Sequence, residues 1–197
     1  KYYEKYIKTD GSDKKRGFNN IGNIYLRKGK PKTSVKYFSK ALELDRNNKI
    51  LINNILLCYL SLRDENKAEE FLKKAETLDS NYTEFLHNKA EFLILKNQIQ
   101  EAEKILENNK GITKFLITLI RLYFNSGQSN KGNELLNQSR EILKNNSDFY
   151  NYLGIRYLSE GNFDEGWKYY EFRKSKLSNF FKDISEWDGA NIKDKSI

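Results

Sequence analysis

Methionine is absent from this 197-residue chain, and proline, cysteine and histidine occur once each. Each shortage closes off a class of answers. One cysteine cannot form an internal disulfide, and Cys58, set between Leu57 and Tyr59 in an apolar stretch, reads as a small buried side chain and not as a nucleophile. His87 is the single histidine, and it reads as a polar residue and not as a metal ligand. No glycine-rich phosphate loop, no serine or cysteine with a partner histidine and no acid pair fixed by spacing is found, so no catalytic residue and no cofactor is expected. Glu69, Glu70, Glu101 and Glu103 stand beside lysines, where solvated ion pairing is the ordinary role. No run is long and apolar enough to span a bilayer and no signal peptide is visible at Lys1, so no membrane partner is expected and the cytoplasm is the expected location. The missing methionine leads us to expect a chain that begins inside a longer protein.

What is present is aromatic and basic. Thirteen tyrosines and twelve phenylalanines argue against disorder, which is poor in such residues. A hydrophobic fraction of 38% is low for a spherical core but sufficient for a stack of helix pairs, in which every residue stays near solvent. The net charge of +8 would suit an acidic partner if it were concentrated. Lysines occur along both helices of each unit described below, together with many asparagines, which is the pattern of a solvated face, so no nucleic-acid partner is expected.

Residues 18–45 set the pattern for the rest. Phe18, Ile21, Gly22 and Tyr25 are followed by Ser34, Phe38 and Ala41, and the apolar members recur at three- and four-residue intervals, one stripe per helix. Gly22 and Ser34 are small where two helices would approach most closely. Gly29-Lys30-Pro31 separates the helices, since glycine can end one with positive φ and proline suits the first turn of the next. Thirty-four residues on come Ile52, Ile55, Leu56 and Tyr59, then Ala68, Leu72 and Ala75. A third copy has Leu86, Ala90, Leu93, Ala102 and Leu106 and stops early at residues 108–111. The fourth, with Leu119, Ile120, Tyr123, Gly132 and Leu136, starts 30 residues later, so one helical turn is missing after Leu106. A fifth holds Tyr150, Leu153, Gly154, Tyr157, Gly161, Phe163, Gly166 and Tyr170.

This spacing closely resembles the tetratricopeptide repeat, W-x2-L-G-x2-Y followed by A-x3-F. The resemblance implies an all-α, right-handed solenoid of about eleven antiparallel helices. Its expected divisions are the second helix of a partial repeat over residues 1–14, five repeats over 15–48, 49–82, 83–112, 113–146 and 147–173, and a connector over 174–197. An aromatic cluster of Trp167, Tyr170 and Phe172 is expected to cover the end of the stack.

In such a solenoid the first helices line a concave face, where Asn20, Asn54 and Asn88, 34 residues apart, would form a row of amides able to pair with the backbone of an extended peptide. Asn19, Asn23, Asn53, His87, Arg121 and Asn151 are expected beside them, and the row stops at Thr118. It is similar to the asparagine ladder of O-GlcNAc transferase; asparagine is also common throughout this chain, and the compositional reading stands beside the functional one. Residues 161–173, GNFDEGWKYYEFR, with Trp187, Gly189, Ile192 and Lys195, resemble the junction of bacterial tetratricopeptide proteins that continue into a glycosyltransferase-like domain. The expected function is a non-catalytic module binding a peptide or protein segment, either as the N-terminal part of such a protein or as a free-standing adaptor or scaffold.

Overall fold

The computed structural model describes residues 12–144 and 146–171, and every regular element among them is a helix. The chain divides into two compact units, Lys1–Leu135 and Leu136–Ile197. The first contains α1 (Ser12–Arg27), α2 (Pro31–Leu44), α3 (Lys49–Leu62), α4 (Glu65–Leu78), α5 (Thr83–Leu95), α6 (Ile99–Asn108) and α7 (Thr113–Asn125). The boundary between the units falls inside α8 (Ser129–Gln138); α9 (Arg140–Leu143), α10 (Ser147–Ser159) and α11 (Phe163–Tyr170) belong to the second. The helix expected over residues 1–14 lies outside the described residues as far as residue 11, and α1 already begins at Ser12. The expected connector, with its Trp187 motif, also lies outside them, as does Phe172.

The pairing follows from the turns. A left-handed residue stands at Gly29, Arg63, Asn97, Gly127 and Gly161, each between the first and second helix of a repeat, and the intervals of 34, 34, 30 and 34 restate the repeat period and its four-residue deletion. Glycine takes this conformation freely and asparagine readily, whereas Arg63 does so at a cost of about 1 kcal/mol. Many asparagines have a local role as caps: Asn48, Asn146 and Asn162 accept from the backbone N–H groups of Leu51, Phe149 and Glu165, as Asp64 does from Lys67. The missing turn falls in α6, ten residues long against fourteen in α2 and α4.

In the first unit each helix from α1 to α7 packs on the next, and α3 also touches α5, as α5 touches α7. One cluster joins Phe18, Phe38, Ala41, Leu51, Ile55 and Cys58; the next is built on Ile52, Leu56, Ala68, Leu72 and Phe85, and the third on Ala90, Ala102, Leu106, Phe115 and Leu119. Each spans a repeat boundary, so no pair of helices buries its apolar face alone. Gly22 and Ser34 mark the close approach of α1 and α2: the Ser34 hydroxyl donates to the Gly22 carbonyl, and a Cβ on Gly22 would lie 2.5 Å from the Phe38 ring. In the fourth repeat the sides are exchanged. There Phe124 of α7 fills the space left by Gly132 of α8, with 2.5 Å to an added Cβ. Lys15–Asp45 and Lys49–Asp79, both 2.8 Å, tie the start of the first helix to the end of the second at the same positions in two successive repeats.

Two details depart from the sequence reading. The second helix expected of the fourth repeat is broken at Ser139 into α8 and α9, which is how eleven helices are reached among the described residues. The aromatic that α11 buries is Tyr169, stacked between Tyr150 and Tyr157 at 5.5 and 5.7 Å, while Trp167 is 53% exposed and meets Tyr170 edge-on. Gly154 and Gly166 explain this packing. A Cβ on Gly154 would strike the backbone of Tyr170, and one on Gly166 would meet Leu158 at 2.8 Å, so α10 and α11 lie nearly backbone to backbone and turn Tyr169 inward.

Candidate peptide-binding groove

The amides of the first helices bond to one another across repeat boundaries. Asn88 is 5% exposed, and its Nδ2 donates to the backbone carbonyl and Oδ1 of Asn53, at 3.2 and 3.3 Å. Asn53, also buried, donates in turn to the Lys49 carbonyl at 2.9 Å. Asn54 is half-buried and reaches Asn19 Oδ1 at 3.4 Å. Asn20 is exposed and Asn23 half-buried. The contacts thus run between Asn19 and Asn54 and between Asn53 and Asn88, one residue out of the 34-residue register, and the Asn53–Asn88 pair ties α3 to α5. Asn19 instead borders a recess of about 90 Å³ with Lys15, Arg16, Asn48, Ile50 and Leu51. Asn151 is half-buried on α10 in the second unit.

Thr118 stands where the amide row stops. It is buried and lies 2.9 Å from His87 Nε2 and 3.4 Å from Glu91 Oε1. The hydroxyl has one proton, so whether Thr118 gives it to Glu91 or to His87 Nε2 follows from the imidazole tautomer. The imidazole also meets Phe115 edge-on at 5.1 Å. Burial pushes the His87 pKa below its ordinary value, with the Glu91 carboxylate opposing and the Lys114 and Arg121 cations adding to the fall.

Above this network lies a groove of about 450 Å³ between three first helices. The C-terminal part of α3 supplies Leu57, Leu60, Ser61 and Arg63; α5 supplies His87, Glu91, Ile94 and Leu95; α7 supplies Arg121 and Asn125. A second recess of about 260 Å³ adjoins it, shares Glu91, Ile94, Arg121 and Asn125, and reaches Thr118 and Leu122. Of the residues singled out from sequence, His87 and Arg121 line this groove, and Asn19, Asn20, Asn23, Asn53, Asn54 and Asn88 of the same unit are not among its lining residues. The missed Leu57 and Glu91 had a signal: with Asn23 and Arg121 they hold one repeat position, at intervals of 34, 34 and 30. They share a register without sharing chemistry.

The groove is lined by Leu57, Leu60, Ile94 and Leu95 together with donors such as Arg63 and Arg121 and the acceptor Glu91, which suits an extended segment carrying N–H, C=O and an occasional large side chain. Among the described residues no three His, Cys, Asp or Glu side chains could hold a metal ion together. Burial pushes the Cys58 thiol up to about 11, so it is not a thiolate at neutral pH. No helix among the described residues is long and apolar enough to cross a membrane.

Comparison with known proteins finds the same repeat and the same fold. Residues 16–48 and 51–82 each match the tetratricopeptide repeat. Over 92 residues the chain is 33% identical to anaphase-promoting complex subunit 3 of Schizosaccharomyces pombe, a match that covers 47% of this chain and 14% of that protein's length. A thermophilic TPR protein of Thermus thermophilus superimposes with a TM-score of 0.69 at 16% identity, over 86% of this chain and 93% of that one. The first TPR of Spaghetti bound to an HSP90 peptide, SRMEEVD, superimposes with a TM-score of 0.50 at 21% identity, covering 59% and 96% of the two chains. The chain therefore carries tetratricopeptide repeats in an all-α fold of consecutive packed helix pairs.

Proposed function

We propose that this chain of tetratricopeptide repeats is a non-catalytic interaction module that holds an extended segment of a protein partner in the groove bounded by α3, α5 and α7. The observation that carries the reading is that Leu57, Glu91 and Arg121, at one repeat position on three successive first helices, bring an apolar side chain, an acceptor and a donor to one groove. A structural neighbour that is bound to a peptide supports it. Asn20 and Asn54 extend the same face toward α1 as further main-chain contacts, while Asn53 and Asn88 serve by fixing α3 against α5. The cytoplasm is the compartment this reading assumes, which suits a single buried thiol.

Selection of displayed peptides of about twelve residues against the chain, followed by affinity measurement on variants, tests the proposal. Selected peptides should lose at least tenfold in affinity on Arg121→Glu and on Leu57→Asp. Peptides indifferent to both changes would place the binding surface elsewhere. Failure to select any peptide would favour a scaffold whose groove is occupied by its own polypeptide.

A finer reading attaches the module to a glycosyltransferase-like domain. It rests on the motif of residues 161–173, whose Phe163 and Trp167 are both more than half exposed, as suits a surface met by further polypeptide. The parent gene tests it: an apolar strand and a glycine-rich turn encoded soon after Ile197 would support the reading, and continued 34-residue repeats or a stop would refute it.

A further inference from the structure

The even spread of lysines read from the sequence does not extend to their charge balance. Nine cations lie between Asp13 and Glu43 with no acid among them, more than the net charge of +8 carried by the whole chain. The adjacent repeat provides an internal comparison. On α4, Lys67 and Lys74 both pair with Glu70, at 2.9 and 2.7 Å, and Lys73 pairs with Glu69 at 2.8 Å. On α2 the residue 34 positions before Glu70 is Lys36. It shares an exposed row with Lys32 and Lys40, and none of the three has an ion pair among the described residues. Phe38, Ser34 and Ala41 are buried on the opposite side of the helix, so the lysine row is the outward face of α2. Successive lysines are spaced by about 6 Å along the axis. Arg27, the last residue of α1, and Lys28 of the following turn, both exposed, precede the α2 N-terminus in the chain.

We propose that this stripe on α2 and its preceding turn is a contact for the phosphodiester backbone of a nucleic acid, made without base recognition. Three features select this partner. The ammonium and guanidinium groups of the stripe are donors with no acceptor, and a phosphodiester backbone offers them a continuous line of acceptor oxygens. The lysine row carries no exposed aromatic ring on which a base could stack. The stripe is one helix wide: the positions of α4 equivalent to Lys32, Lys36 and Lys40 are Asn66, Glu70 and Lys74, so a flat anionic membrane laid on both helices would also meet the Glu70 carboxylate. A linear polyanion follows the stripe and avoids it. This surface is separate from the peptide groove, and its proposal stands or falls independently of that reading.

Fluorescence anisotropy with a labelled 20-base-pair DNA duplex and the full 197-residue chain tests it. With about five phosphate contacts, affinity should fall roughly 500-fold between about 50 and 200 mM salt. Lys32→Gln/Lys36→Gln/Lys40→Gln should weaken binding at least 30-fold at the lower salt. The matched variant Lys67→Gln/Lys73→Gln/Lys74→Gln, with the same change in net charge, should weaken it less than threefold. Circular dichroism would establish that both variants are folded; if the triple glutamine variant is not, Lys36→Glu, which restores the residue type of position 70, should alone reduce binding at least tenfold. Equal losses in the two triple variants would mean that net charge alone is read and would overturn the site. So would absence of duplex binding at the lower salt, or tighter binding to polyglutamate or to phosphatidylserine vesicles than to the duplex.

Discussion

Substitution of Gly22 by alanine tests the closest helix contact of the first repeat. The added methyl would lie 2.5, 2.6 and 2.9 Å from three carbons of the Phe38 ring, against about 3.5–4.0 Å for an unstrained carbon pair. The ring must retreat by about 1 Å, and it is wholly buried among Phe18, Ala41, Leu51, Ile55 and Cys58. Overpacking of this kind costs about 1–3 kcal/mol, while alanine in place of glycine within a helix regains about 1 kcal/mol. The net expectation is a destabilisation of about 1 kcal/mol, too close to zero to be decisive alone. A double-mutant cycle makes it decisive. Phe38→Leu should cost about 1–2 kcal/mol by leaving volume unfilled, and in the double variant the methyl added at position 22 would occupy part of that volume. The two changes together should therefore cost less than their sum by about 1 kcal/mol. Urea denaturation followed by circular dichroism measures all four corners. Strict additivity, or a Gly22→Ala variant more stable than the parent, would show that the methyl and the ring do not compete for one space.

Two further outcomes follow from buried polar groups. Because burial lowers the His87 pKa, the unfolded chain binds more protons below its ordinary value near 6.5, so stability should fall as pH drops through that value. His87→Gln should reduce the loss of urea midpoint between about pH 7.5 and 5.5, and an unchanged loss would refute the assignment. Tyr123 places its hydroxyl 2.8 Å from Glu107 and 3.0 Å from Glu103, on either side of one turn of α6, with Lys131 3.3 Å from Glu103. Tyr123→Phe removes a charge-assisted hydrogen bond between α6 and α7 and should cost about 1–2 kcal/mol, read as a lower thermal midpoint; an unchanged midpoint would mean that water replaces the hydroxyl without loss.

Helix existence, the pairing of helices and the shortened third repeat were legible in the sequence, because they depend on intervals along the chain. Apolar residues at three- and four-residue steps define a helical face wherever they occur, and four missing residues shorten a helix by one turn in any context. The turn positions were partly legible: glycine at 29, 127 and 161 announces a left-handed residue, while arginine at 63 gives no such notice. The break at Ser139 has no sequence signal that we can identify. Which residues border the groove was decided by tertiary structure. Identical amides at 20, 54 and 88 differ from exposed to buried because each meets a different neighbour, and Asn88 is withdrawn by the backbone of Asn53, a partner 35 residues away. The row that does cross the groove is held together by position alone, with leucine, glutamate and arginine at equivalent places. A repeat period determines that three such side chains recur at one height on successive helices. Only the rotation of each helix against the next determines whether they point into a shared space, and that rotation is set by packing between repeats, at contacts such as Gly22 with Phe38.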